Sequence, residues 1–249
     1  MSSYYETEAI ILGSLPLAEA DKIVTFLTPY YGILRGVARG SRNPKSRFSG
    51  ALELLSNVEI TFSHKERELV RIDRIELKKS YFHLVSDPSL LPSFAFMAET
   101  LTSLVPQGVR EEKIYRMVKA CILASETNPD RINLVTLYFS IWILKLSGYL
   151  PSWDFCKNCK KNLIDGSLFV IQEFNAVCVS CYKNSKISNF TINASVGTKA
   201  FDKKHLQVLH LALNLTPQAF VEAMKTNSSN RPEELSEVIK RLLQSVKQV

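Results

Sequence analysis

The spacing of apolar and polar positions changes once along this chain, near residue 80, and the change separates two kinds of architecture. Up to that point apolar residues fall in short runs or alternate with polar ones, as half-buried strands require. Thr7 to Ser14 is one apolar run, and Lys22 to Thr28 is a second, rich in β-branched residues. The turn Pro29-Tyr30-Tyr31-Gly32 leads into Ile33 to Gly40. A longer strand follows from Leu52 to Phe62, where Val58, Ile60 and Phe62 alternate with Glu59 and Thr61. After the polar turn Ser63-His64-Lys65-Glu66, a fifth strand runs from Leu69 to Lys78. Five short strands punctuated by turn signals predict a small closed barrel, with an OB-fold as the leading candidate.

Beyond Lys79 the period is helical. Asp87-Pro88 supplies an N-cap followed by proline at the first helical position, opening a helix from Ser89 to Val105 that Pro106-Gln107-Gly108 closes. A second helix is predicted from Arg110 to Ser125. A third runs from Asp130 to Leu146 and stops at Gly148. The third is apolar nearly all round and should form a buried centre. Helical patterning returns over Val196 to Leu213, Pro217 to Lys225 and Pro232 to Val246, after a cysteine-bearing segment from Trp153 to Ser188. The expectation is an α+β chain: a five-stranded OB-fold β-barrel at 1–80, then an all-α domain at 81–249 with an inserted four-cysteine zinc module at 153–188.

Composition narrows the functional classes. Hydrophobic residues are 46% and charged residues 22% of 249, so the chain can bury a real core. The formal net charge is +7 and the pI near 9.1, which favours an anionic partner such as nucleic acid, a membrane surface or an acidic peptide. The start, Met1-Ser2-Ser3-Tyr4-Tyr5-Glu6, lacks the pattern of a signal peptide. The longest apolar stretch, Leu134 to Leu146, is interrupted by Thr136, Ser140 and Lys145 and is too short to span a bilayer. Asn-x-Ser/Thr sequons begin at Asn189, Asn193, Asn214 and Asn227. Without a secretory route they read as chance matches, and the chain reads as cytosolic.

Of five cysteines, four stand as Cys156-x2-Cys159 and Cys178-x2-Cys181, the spacing of paired zinc knuckles. Four thiolates suit a tetrahedral, borderline-soft ion, and each two-residue gap lets one tight turn aim two sulfurs inward. Lys157, Lys160, Lys161 and Lys183 offset the negative charge of such a centre. With no open coordination position, one structural zinc ion is expected. Buried thiols, a redox pair or an iron–sulfur cluster are the competing readings of the same residues. Cys121 stands alone on a helix as core or boundary filling.

Between Lys22 and Leu52 there is no acidic residue, and Arg35, Arg39, Arg42, Lys45 and Arg47 fall within thirteen positions. Residues 1–80 hold 12 basic and 10 acidic side chains, so the charge is focused in one strand and loop, as a phosphate backbone requires. Arg35, Val37 and Arg39 share one strand face. Gly36, Gly40 and Gly50 are expected to leave room for a nearby backbone or a ligand, and Tyr30, Tyr31 and Phe48 to flank the cluster as stacking platforms for a single strand.

Nothing resembles an assembled active site. GSRNPKS at 40–46 lacks the glycine before the lysine of a phosphate-binding loop. His64, His83, His205 and His210 share no ligand spacing. Glu111-Glu112 and Glu233-Glu234 lie in first turns of predicted helices, where the dipole explains them. The chain is therefore read as a non-enzyme.

The segments TEAIILGS (7–14), EADKIVTFLT (19–28) and GILRGVARGSRNPKSRFSGALELL (32–55) resemble the N-terminal barrel of the bacterial recombination mediator RecO family. GYLPSWDFCKNC (148–159) and CVSC (178–181) resemble its zinc module. Three features depart from the family pattern. Lys160 stands where a glycine often follows the first CxxC, Asn175-Ala176 replace a Gly-rich approach to the third cysteine, and the chain ends LLQSVKQV without a basic tail. The resemblance implies binding of single- and double-stranded DNA, annealing of complementary strands, and help in loading RecA onto strands coated with single-strand-binding protein. It also implies action with RecR and recognition of the acidic C-terminal tail of the single-strand-binding protein through the helical domain, with no membrane partner and a nucleoid-associated cytoplasmic location. Carried over by position, the DNA contacts are Arg35, Arg39, Arg42, Lys45 and Arg47. Arg110, Lys113 and Arg116 form a stripe available to the acidic tail. The alternative is a zinc-containing RNA- or protein-binding accessory factor.

Overall fold

The computed structural model describes residues 4–17, 19–43, 46, 48, 50–63, 69–163, 168–170, 174–184, 199–226 and 232–247. Lys45, Arg47, His64, the centre of the turn before the fifth strand, residues 196–198 and the sequons at Asn189, Asn193 and Asn227 lie outside them. Contacts group the chain into two compact units, Met1–Phe139 and Ser140–Val249. The change from strands to helices near residue 80 falls inside the first.

In the first unit, β1 (Tyr4–Pro16), β2 (Lys22–Thr28), β3 (Gly32–Ala38), β4 (Asn57–Ser63) and β5 (Val70–Lys79) close into a barrel in the order β1-β2-β3-β5-β4. All neighbours are antiparallel except β3 and β5, which run parallel at Gly36↔Val70 and Val37↔Arg71. This is the OB-fold arrangement. β1 is long enough to serve both sides of the barrel: Tyr4 to Ile10 pair with β4, and Ile10 to Pro16 with β2. Between Ile11 and Gly13 the register slips by one residue, and such a bulge lets a strand bend from one neighbour to the next.

Alternation fixes which residues fill the barrel. Ala9, Ile11, Val24, Phe26, Leu34, Ala38, Val58, Ile60, Phe62, Val70, Ile72 and Ile75 form one buried cluster with Phe48, Ala51 and Leu52 from the segment before β4. Phe48 is therefore a plug of the core and not an exposed stacking platform. Tyr31 packs edge-on against Tyr5 and Phe62. Tyr30 alone of the three aromatics is open, with the Arg110 guanidinium over its ring.

Helices α1 (Phe82–Val85), α2 (Leu91–Leu104) and α3 (Glu112–Thr127) follow. Asp87 accepts hydrogen bonds from Ser89 N and Oγ just before α2, as its Asp-Pro signal predicts, although the regular helix begins two residues later than expected. α2 packs on β1 and α3 on β2. Cys121 lies fully buried on α3, its thiol pushed up by burial, in keeping with a core role. α4 (Ile132–Leu146), entered through a 3-10 turn at Pro129–Arg131, carries the chain across the division. It is buried on all sides from Val135 to Ser140, as its apolar surround predicts. Gly148, at φ +79, ends it where the sequence places the stop.

The second unit holds a three-stranded sheet in the order β7-β6-β8, from β6 (Leu168–Val170), β7 (Ala176–Cys178) and β8 (Lys199–Phe201), with α5 (Val179–Asn184) after β7. Helices α6 (Lys203–Asn214), α7 (Pro217–Thr226) and α8 (Pro232–Val246) complete it. The helix expected from Val196 starts only at Lys203. Residues 199–201 pair with β6 instead, and the Asp202 carboxylate accepts hydrogen bonds from Lys204 N and His205 N to set the helix start. The second unit is thus not wholly helical.

Candidate metal centre and nucleic-acid interface

The four paired cysteines converge. Cys156 and Cys159 sit in one tight hairpin, held by Cys156 N to Lys161 O at 2.8 Å, Lys160 N to Cys156 O at 3.0 Å and Leu163 N to Asp154 O at 2.8 Å. Lys160 takes a left-handed conformation at φ +60, which explains why a glycine suits that position. Cys178 ends β7 and Cys181 lies in the short α5, and Lys157 N donates to Ala176 O at 2.8 Å to join the two knuckles. Trp153, buried beside the hairpin, donates its Nε1–H to Phe174 O at 2.7 Å and packs on Phe201.

A tetrahedral ion with metal–sulfur bonds of about 2.3 Å sets sulfur–sulfur edges of about 3.8 Å. The Cys159 and Cys178 sulfurs are 3.8 Å apart, and all four sulfurs lie within 4.8 Å of one another. The group can hold a metal ion. The sulfurs also press on one another's ionisation. Burial alone would raise the Cys156 thiol, but backbone N–H groups of Cys159, Cys178 and Asn158 hold it down at about 6. Hydrogen bonding to Cys159 and Cys178 pushes Cys181 up to about 12. A cation among them favours four thiolates at once.

On the barrel, residues facing outward from β2 and β3 form a ladder of cross-strand pairs: Leu27↔Ile33, Thr25↔Arg35 and Ile23↔Val37. Leu27 and Ile33 are buried although they lie outside the inner cluster. The chain at 106–111 is clamped there, through Gln107 bridging to Gly32 and Ile33 and through Glu111 N to Pro29 O. The other end of the ladder is open. Ile23, Thr25, Arg35 and Val37 are half-buried and Arg39 is exposed just beyond the strand. Arg35 and Arg39 form no ion pair among the described residues.

Arg42 N bonds Ala20 O at 3.0 Å and Gly40 N bonds the Asp21 carboxylate at 2.8 Å, so the basic loop is stitched to the β1–β2 turn. A cavity of about 290 Å³ opens beside it, lined by Lys22, Ser41, Arg42 and Glu53 with Phe48 and Leu52. The structure thus brings Arg35, Arg39 and Arg42 to one end of the barrel.

Sequence reasoning missed Arg71. The parallel pairing with Val37 sets it beside the Arg35–Arg39 face, where it bonds Asp73 at 3.0 Å. Only barrel closure reveals this, because 34 positions separate the paired residues. Among the three glycines expected to leave room, Gly36 has none: an added Cβ would lie 2.7 Å from Ile72 Cγ1. Gly40 and Gly50 serve turns, with φ of +70 and +74, and an added Cβ at either would meet nothing within 4 Å, so both leave room as expected. In the proposed tail stripe, Glu112 pairs with Arg110 at 2.9 Å and with Arg116 at 4.0 Å. His205 is a satisfied core histidine, lying between Asp202 at 2.8 Å and Glu234 at 3.2 Å.

Residues 1–81 match the family model described as Recombination protein O N terminal, and residues 86–190 match that for Recombination protein O C terminal. The chain is 30% identical over 165 residues to the DNA repair protein RecO of Koribacter versatilis, covering 66% of this chain and 67% of that one. It is 30% identical over 191 residues to that of Caldanaerobacter subterraneus, covering 75% of each. It is also 30% identical over 202 residues to that of Syntrophus aciditrophicus, covering 78% of this chain and 75% of the relative. Among the described residues no helix is long and apolar enough to cross a membrane.

Proposed function

This chain belongs to the RecO family, and from that premise we propose that it is a recombination mediator that binds and anneals single-stranded DNA without nucleotide hydrolysis. Its place in DNA repair and recombination follows from the family. The finer reading is supported above all by the open end of the β2–β3 ladder, where Arg35 and Arg39 flank the apolar Val37 and Arg71 stands alongside. The β2–β3 face is where OB-folds hold oligonucleotides. Arginines there would take the phosphates and leave the bases free to pair. Arg42, Lys45 and Arg47 would continue the path, with the barrel at 1–80 as the DNA-binding domain and 81–249 as the region meeting protein partners.

In the same reading, Cys156, Cys159, Cys178 and Cys181 hold one zinc ion. Four thiolates fill a tetrahedral shell, so the ion would supply folding energy and no catalytic position. RecR, RecA loading and the acidic tail of the single-strand-binding protein complete the reading, in the cytoplasm at the nucleoid. The Glu112 pairs leave Lys113 as the least neutralised member of the stripe offered to that tail.

The test is fluorescence anisotropy of a labelled single-stranded oligonucleotide across salt concentrations, for wild type and Arg39→Glu/Arg42→Glu. Tight binding that weakens with salt is expected, with a slope shallower in the variant by about 0.7 for each phosphate it no longer neutralises. Equal slopes would remove the barrel face from the DNA path. Competition by RNA of the same length distinguishes the accessory-factor alternative: RNA that displaces DNA at lower concentration would favour it.

A further inference from the structure

We propose that Leu15 and Leu17, at the tip of the β1–β2 hairpin, form an apolar shelf on which one base of a bound single strand lies face-on. The inference deepens the reading that the outer β2–β3 face binds single strands, and its test separates the two.

The register carries the open end of the β2–β3 ladder onto β1. Leu15 pairs with Ile23, Ile23 with Val37, and Val37 with Arg71. Paired residues share a face of the sheet, so three aliphatic side chains run in one row across the outside of the barrel and end at Arg71. Ile23 and Val37 are half-buried, whereas Leu15 is 66% exposed. Leu17, two residues further on, is 47% exposed. A lone exposed leucine is ordinary surface, but a contiguous aliphatic row marks a contact.

The row is open and its tip is held. Gly13 pairs with Thr25 on the same face, and an added Cβ there would meet nothing within 4 Å. Leu17 N bonds Asp21 O at 3.0 Å, Arg42 N bonds Ala20 O at 3.0 Å, and Gly40 N bonds the Asp21 carboxylate at 2.8 Å. The turn is thereby tied to the basic loop, and a ligand meets a shelf that is already in place.

Charge decides what lies on it. Arg35 stands in the next row, opposite Thr25, and Arg39 follows the strand on the other side of Val37. Neither forms an ion pair among the described residues. The carboxylates nearby are Asp21, bonded to Gly40 N, Asp73, held by Arg71 at 3.0 Å and by the Ser63 hydroxyl at 2.9 Å, and Glu19, exposed on the turn. Free cations therefore border the aliphatic row on both sides. A nucleic-acid strand carries an anion on both sides of every base, and each base offers an apolar face. A peptide meets the same demand only where acids flank an apolar residue. Leucine is among the side chains that proteins set against base faces. A base lying flat on it keeps its pairing edge open, as annealing requires.

The variants are Leu15→Thr and Leu15→Trp in the full-length protein, with the melting temperature measured on each. Threonine keeps the strand preference while removing apolar surface, and tryptophan supplies a larger, fluorescent plane. Leu15→Thr should weaken binding of a thymidine oligomer about threefold or more, the worth of about one buried methylene. Its salt slope should match wild type, because no charge is removed. An abasic strand of equal length should bind both alike. Leu15→Trp should bind the thymidine oligomer more tightly than wild type, and its added fluorescence should be quenched by that oligomer and not by the abasic strand.

Arg39→Glu/Arg42→Glu is measured beside them. If it weakens binding while Leu15→Thr keeps wild-type affinity, or while the new indole stays unquenched, the shelf is overturned and the barrel reading stands. A wild type that binds neither strand overturns both. Equal losses on strands with and without bases overturn the shelf as well, since Leu15 would then act through the fold. So does a selective loss of binding to a peptide of alternating glutamate and leucine with DNA binding intact, which would make the tip a protein-docking surface.

Discussion

At Gly36 a methyl group would stand 2.7 Å from Ile72 Cγ1 and 2.9 Å from Val70 Cγ2, both side chains of β5 inside the barrel. This is the point where β3 meets β5 in parallel and the sheet closes. The absent side chain thus serves closure and not a ligand. Gly36→Ala should destabilise the protein by about 1–3 kcal/mol, the range for overpacking a filled core, read as a lower urea midpoint. A midpoint within error of wild type would mean that β5 yields. From the sequence, Gly36, Gly40 and Gly50 read alike, because composition marks freedom of the backbone and not what fills the space. Phe48 misleads for the same reason. An aromatic in a basic loop suggests stacking, and only the fold shows it plugging the barrel beside Leu52. The cysteines were legible because their spacing is itself the geometry.

At the scale of elements, strands were legible wherever burial alternates, and β2 has the limits its apolar run predicts. Where apolar residues belong to irregular chain the pattern overruns: Leu52 to Ser56 are largely buried yet precede β4. The helix predicted from Val196 fails in a similar way, since β8 borrows its hydrogen bonds from β6 across the sequence. What starts α6 is the Asp202 carboxylate, in a capping box closed by the His205 ring on Asp202 N at 3.2 Å. Asp202→Ala should cost about 1–2 kcal/mol, measured as a lowered melting temperature. Asp202→Asn keeps a capping oxygen and should recover most of it. If both variants fall equally, the charge facing His205 matters more than the cap.

For the whole molecule, the two compact units make different demands on the metal. Among the described residues, the barrel closes on its own fifteen-residue buried cluster, to which no residue beyond Ile75 belongs. The small sheet of the second unit has strands of three residues each, and β7 ends on a metal-binding candidate, Cys178. Strands this short are marginal unless something else fixes them, and structural zinc contributes on the order of 10 kcal/mol where it is required for folding. Cys156→Ser or Cys178→Ser should therefore release the ion and lower amide protection in 153–163, 168–170, 174–184 and 199–201, while β1 to β5 keep theirs. Hydrogen exchange followed by mass spectrometry reads both units in one sample. Full zinc occupancy in either variant would show the ligand assignment to be wrong. Protection lowered equally in the barrel would show that the ion supports the whole chain. Such an outcome would also change how the DNA measurements are read, because a knuckle variant could then weaken binding through the barrel itself. The exchange experiment should accordingly accompany the anisotropy series.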